Sequence, residues 1–392
     1  MNPRLLLLTL CQGLLMTNNV AFATINGLVG LELAPVGWMA TLPITGYVAG
    51  GALATGLVAR HQKRYGRRRT FLLGLTVAMV SSGLCAYAAS TRNFWLLVAS
   101  TMLAGYYSAN GSLYRFASVE LVDPDYKEKA ISWVLAGGIM GAVAGPNLAA
   151  WTRQAMPQPF AGAYVALMGV AVIGWGVMSR IHFPPLPGEG SSAVAGRPMG
   201  EIVRQPLFII AAAACAIGYG VMNLLMAATP IAMQQCGMPF PDVALVLEWH
   251  VLGMFVPSFF TGRLIKRFGV GPIMTVGLLL NIACVVFALQ GNDLMHFLWA
   301  LLVLGVGWNF LFIGGTTLAT EAWRPEEKTR GQAAIDFCVY TTMTLTSFSS
   351  GALVTTGGWT AMNLGTLLPL SLMAAALVWL ATVRRRARHG AA

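Results

Sequence analysis

Twelve apolar segments, each of about 20 residues or more, divide this chain and limit what it can fold into. They lie at about 5–30, 36–59, 70–90, 94–117, 131–151 and 160–181, then 206–229, 241–262, 270–290, 295–319, 332–354 and 361–383. A segment placed in hydrocarbon must satisfy its own backbone polar groups, which leaves the helix. Charged residues make up 10% of the chain and hydrophobic residues 56%, against about 25% charged in a soluble domain. The expectation is an all-α integral membrane protein with twelve transmembrane helices. The first segment shows no convincing small-residue cleavage site and reads as a retained helix rather than a removable signal.

The basic residues orient it. All but two of the 25 Lys and Arg residues fall in the tails, in the even-numbered connections or at their edge; Arg92 and Arg153 are the exceptions. That bias predicts that both termini are cytoplasmic. It also absorbs the net charge of +11 without calling on nucleic acid. The Arg384–Arg388 cluster suits anionic lipid headgroups of the bilayer. Residues 184–205 are rich in Pro, Gly and Ser and read as a cytoplasmic linker between two six-helix bundles, 1–183 and 206–392. The six cysteines are scattered singly, with no CxxC and no disulfide-like spacing.

The two halves repeat. Glu120-Leu-Val-Asp-Pro124-Asp125-Tyr-Lys127-Glu-Lys129 follows the fourth segment, and Glu321-Ala-Trp-Arg-Pro325-Glu326-Glu-Lys328-Thr-Arg330 follows the tenth, 201 residues on. Arg64-Tyr65-Gly66-Arg67 follows the second, and Arg267-Phe268-Gly269-Val270 follows the eighth. Parallel repeats around a long loop are the pattern of a secondary transporter in which one half rocks against the other.

The loop Gly262-Arg-Leu-Ile-Lys266-Arg267-Phe-Gly269 resembles the signature Gly-x-Leu-x-Asp-Arg-x-Gly of the major facilitator superfamily, and the resemblance covers essentially the whole chain. It departs at the acidic position, which is Lys266 here and Lys63 in the weaker first copy. The conformational-switch loops are then Lys63, Arg64 and Gly66, with Gly262, Lys266, Arg267 and Gly269 in the second half. Glu120 and Glu321 are expected to partner the basic loop residues of their own halves.

Met222 and Met226 lie four apart on the seventh segment, and His250 and Met254 four apart on the eighth, so each pair shares a helix face. An antiparallel hairpin turning near Met238 sets Met226 level with His250 and Met222 level with Met254. Thioethers with an imidazole are ligands that favour copper(I); gap-filling core methionines beside an interface histidine give the same pattern. This arrangement is similar to the CcoA-like copper importers, a branch that also holds riboflavin transporters. The resemblance implies a monomeric transporter of the bacterial inner membrane that imports copper as its substrate for cuproenzymes such as haem–copper oxidases. No prosthetic group is expected, and protons are a candidate coupling ion.

Accessory candidates are Met16, Met233, Cys236, Met238, Glu248, Asn309 and Asp336. Glu248 and Asp336 qualify because ionisable groups inside a span are functional by default. Asp336 could instead pair with Arg330 or Lys328 at its helix end. Tyr106, Tyr107, Trp308 and Phe310 match between the repeats and suit a planar organic substrate such as riboflavin, which is the alternative reading. No nucleotide loop, catalytic triad or HExxH motif is present, so no enzymatic activity is expected.

Overall fold

The computed structural model describes residues 2–123, 126–184, 197–324 and 327–389. Among them there are helices and turns and no strand. The first half comprises α1 (Pro3–Leu33), α2 (Leu42–Ser90), α3 (Phe94–Gly111), α4 (Tyr114–Ser118), α5 (Lys127–Thr152) and α6 (Ala161–Met178). A short α7 (Met199–Val203) precedes the second half, which comprises α8 (Pro206–Gln235), α9 (Phe240–Phe255), α10 (Ser258–Phe268), α11 (Val270–Gln290), α12 (Leu294–Ala319), α13 (Lys328–Thr356), α14 (Gly358–Gly365) and α15 (Leu367–His389).

Each of the twelve expected segments falls on helix, but not one to one. The second and third segments are both in α2, which turns at Gly66 with φ 77°. The eighth is the pair α9 and α10, bent by 41° at Val256 and Pro257. Among the described residues, eight helices can cross a membrane by length and composition, or nine with that bent pair counted as one span. α13 falls short because it is rich in Ser and Thr; several of their hydroxyls bond carbonyls of the preceding turn, as Thr344 does to Tyr340 and Ser349 to Leu345.

Packing follows the sequence repeat. In the first half α1 lies on α5 and α2 on α3 and α6; in the second α8 lies on α13 and α12, and α12 also receives α9 and α11. The closest approaches are made through glycine. A Cβ on Gly105 of α3 would stand 2.3 Å from Gly51 N and 2.6 Å from Tyr47 O, and one on Gly305 of α12 would stand 2.4 Å from His250 O. Both contacts bring backbones together where lipid supplies no hydrophobic drive and close van der Waals packing must hold the helices. Across the halves, α5 meets α9, α2 meets α13 and α1 meets α8, again in repeat-related pairs.

Candidate functional site

The turn linking α8 to α9 is where the sequence puts it. Gly237 takes φ 76°, its N–H bonds Gln234 O, and Met238 N bonds Met233 O, which is a Schellman-type cap. Beyond it the two helices take different partners. α8 lies chiefly on α12 and α13, and α9 on α12 and α5. Met222 and Met254 are buried in one apolar cluster with Val20, Ala142, Val251 and Trp308, and Met226 packs against it. His250 is fully buried, and its Nδ1 donates to Leu301 O of α12 at 2.7 Å. Because a carbonyl only accepts, Nδ1 carries a proton, and in the neutral imidazole Nε2 then keeps the lone pair. That Nε2 is buried without a hydrogen-bond partner. Among the described residues no three His, Cys, Asp or Glu gather as a metal site.

A cavity of about 920 Å³ lies between the halves, in the part of the protein nearest the termini. α1, α2, the α3–α4 bend and α5 line it from one side, and α8, the α9–α10 bend, α12 and α13 from the other. Its floor is aromatic. Trp308 and Phe312 of α12 stack with centroids 5.2 Å apart and planes 10° apart, and Tyr219 meets both edge-on at 4.9 and 5.0 Å. Phe255 stands edge-on to Trp308 at 6.5 Å. Polar groups are set among them: Asn19, which accepts from the Tyr47 hydroxyl, together with Arg115, Asp336 and Tyr340.

At the opposite end the halves are joined. Thr41 Oγ1 donates to Ser347 O at 2.7 Å and accepts from Gly351 N at 3.0 Å. Trp38 stacks edge-on with Phe348. Asn147 of α5 donates to Glu248 of α9 at 2.7 Å. The Arg153 guanidinium lies 5.1 Å from the Phe160 ring and 5.3 Å from that of Phe240. The state is therefore open toward the termini and sealed at the other end.

The remaining candidates separate. Met16 and Asn309 reach the cavity wall, and Asn309 ties Thr261, Ser258 and Met254 O together. Met233 is buried core, whereas Cys236 is exposed at the turn and Met238 is part-buried against core. Asp336 lines the cavity, and Arg330 bonds Arg197 O instead of pairing with it; the Lys328 side chain lies outside what is described. Of the matched aromatics only Trp308 lines the cavity. Tyr106 bonds His61, and Tyr107 and Phe310 are core. Tyr219, Phe312 and Tyr340 carry no motif and were not singled out by sequence. Arg115 sits inside an apolar segment, a signal that could have marked it.

In the loops, Gly66 and Gly269 both take positive φ, 77° and 89°, as the repeat requires. Glu120 pairs with Arg67 at 2.7 Å. Glu321 pairs at 3.0 Å with Arg384 of α15, not with Lys266 or Arg267. The repeat explains the asymmetry: the position of Arg67 is Val270 in the second half, so Glu321 finds a cation elsewhere. Arg64 and Arg267 instead lie over the adjacent Tyr65 and Phe268 rings, while Lys63, Lys266 and Gly262 are exposed.

The family model described as Major Facilitator Superfamily matches residues 5–249 and 210–392. The chain belongs to the major facilitator superfamily. This transporter is 37% identical over 361 residues to the riboflavin transporter RfnT of Brucella anthropi, covering 92% of this chain and 91% of that one. It is 25% identical to the uncharacterized MFS-type transporter YddS of Bacillus subtilis, over 91% of this chain and 86% of that one. The fold is similar to that of the nucleoside transporter NupG, with TM-score 0.73 at 13% identity over 96% and 99% of the two chains. It is similar too to a bacterial homolog of the human lysosomal transporter Spinster, with TM-score 0.72 at 15% identity over 97% and 96%. The copper expectation finds no support among these relatives; the riboflavin alternative does.

Proposed function

We propose that this transporter moves a planar heteroaromatic solute of the riboflavin class across the bacterial inner membrane, with both termini in the cytoplasm. The observation that carries the reading is the aromatic wall of the cavity, where the part-exposed Phe312 and Tyr219 are backed by the buried Trp308 beside hydrogen-bonding groups. Its volume of about 920 Å³ falls in the range of small-molecule sites, about 300–1,000 Å³. The likeness to a riboflavin transporter supports the same class. Transport proceeds by rocking: the described state delivers solute to the cytoplasm, and its counterpart opens when the Thr41, Asn147 and Arg153 contacts part.

Copper import is the second reading, favoured by the buried Nε2 lone pair of His250 one turn from Met254. Its ligands are Met222, Met226, His250 and Met254. Uptake of labelled riboflavin and of copper, in cells carrying wild type or the Met226→Ala/His250→Ala variant at matched abundance, separates the two. Riboflavin uptake by wild type, with no copper uptake, is the expected result. Copper uptake lost in the variant, without riboflavin uptake, would overturn it.

A further inference from the structure

Two charged side chains face the cavity from opposite halves, Arg115 of α4 and Asp336 of α13. Among the described residues neither side chain makes a hydrogen bond or an ion pair; the Arg115 guanidinium lies 4.8 Å from the Phe116 ring, and its Nε is buried without a hydrogen-bond partner. They nevertheless line one cavity, together with Tyr340 and Tyr219. Both are part-exposed on the cavity wall, so each keeps hydrogen-bonding capacity for a cargo held between them.

The chemistry of that cargo is restricted. A guanidinium only donates hydrogen bonds and a carboxylate only accepts them. An anionic cargo satisfies Arg115 and is repelled by Asp336; a cation does the reverse. A zwitterion or a neutral ring edge carrying a carbonyl beside an N–H answers both without net charge, and the aromatic wall favours the ring. The part-exposed Phe312, stacked on the buried Trp308, lies on the same cavity wall for the ring's apolar body.

We propose that Arg115 and Asp336 read a cyclic imide edge, –CO–NH–CO–, on the transported ring, Arg115 donating to a carbonyl oxygen and Asp336 accepting from the imide N–H. This rests on the planar-solute reading above and names the group that reading leaves open. It also supplies a link between occupancy and rocking. Because the two residues belong to different halves, an imide bonded to both ties the halves together at the open end, and an empty cavity lacks that tie.

The test uses the purified full-length transporter and flavin fluorescence quenching with riboflavin and 3-methylriboflavin, whose imide N–H is replaced by methyl. Wild type is expected to bind the methylated flavin at least about tenfold more weakly, the value of one charge-assisted hydrogen bond. Asp336→Asn is expected to weaken riboflavin binding by a similar factor and to erase most of the discrimination. Arg115→Lys, which keeps charge but loses the planar fork, is expected to weaken both flavins together. Lumichrome, with the imide but no sugar-alcohol chain, should compete. Equal wild-type affinity for the two flavins would overturn the proposal, and that arm needs no variant to fold. If wild type bound no flavin, the riboflavin reading would fall alone. Lumazine and 3-methyllumazine, followed by tryptophan fluorescence, would then decide the imide: discrimination supports it, and equal or absent binding overturns it.

Discussion

Replacing Thr41 with valine tests how the sealed end is held. Thr41 is fully buried, and its hydroxyl is inserted between Ser347 O and Gly351 N, a pair four residues apart on α13. It thus bridges one turn of a helix belonging to the other half. Valine keeps the shape and removes both bonds. Each is worth about 0.5–1.5 kcal/mol net, so the sealed state should lose about 1–3 kcal/mol. The figure tends to the lower end because Gly351 N–H can fall back on Ser347 O, completing an ordinary helical turn. In the proposed rocking these contacts part in the opposite state, so their loss should shift population toward it by a factor of about 5–150. Double electron–electron resonance between spin labels at Thr91 and Gln290, exposed on either half at this end, in a cysteine-free background, reads the shift as growth of a longer distance. Thr45→Val, which removes only a bond to Thr41 O within its own helix, is the control. An unchanged distribution in Thr41→Val, or the same change in the control, would refute the reasoning.

Three further outcomes follow from the geometry. Gly305→Ala places a methyl 2.4 Å from His250 O; overpacking of this kind costs about 1–3 kcal/mol and should lower the melting temperature and uptake, while Gly56→Ala, with nothing within 4 Å, should change neither. Trp308→Ala should weaken flavin binding about 5- to 150-fold, from about 1–3 kcal/mol of stacking, in the fluorescence titration; Trp308→Phe should recover part of it. The buried Glu327 accepts from Arg197 at 2.7 Å, and that guanidinium holds its carboxyl well below the usual carboxylate range. A depressed pKa stabilises the fold above the unfolded value of about 4.3 and loses that contribution as pH falls toward the folded one. Arg197→Ala should therefore melt below wild type from pH 7 to 5, with the gap narrowing below about pH 4; a gap constant with pH would count against the ion pair.

Much of the fold was legible because apolar length and charge placement are properties of composition along the chain. The repeat marked the loops that hold Gly66 and Gly269; their positive φ and the helix pairs that meet across the halves come from the structure. The cavity was not legible. α8, α11 and α12 are apolar on nearly every face, so nothing in their sequence fixes rotation about the helix axis, and Tyr219 and Phe312 gave no sign of facing inward. Arg115 was read as a boundary residue. The break between α3 and α4 at Ser112 and Leu113 instead brings it into the cavity. Spacing did place Met222, Met226 and Met254 in one apolar cluster, yet could not show that His250 spends its Nδ1 on Leu301. Pairing fared unevenly for a similar reason: Glu120 finds its loop arginine, whereas Glu321 is met by α15, far along the chain.

The cavity is proposed to carry a planar heteroaromatic solute. The most direct test is flavin accumulation in proteoliposomes containing only this transporter, wild type or Trp308→Ala, with copper accumulation followed in parallel. Riboflavin accumulating with wild type and sharply reduced with Trp308→Ala, with copper at background, is the predicted result. Copper accumulating while riboflavin stays at background would contradict the account and return the site to Met222, Met226, His250 and Met254.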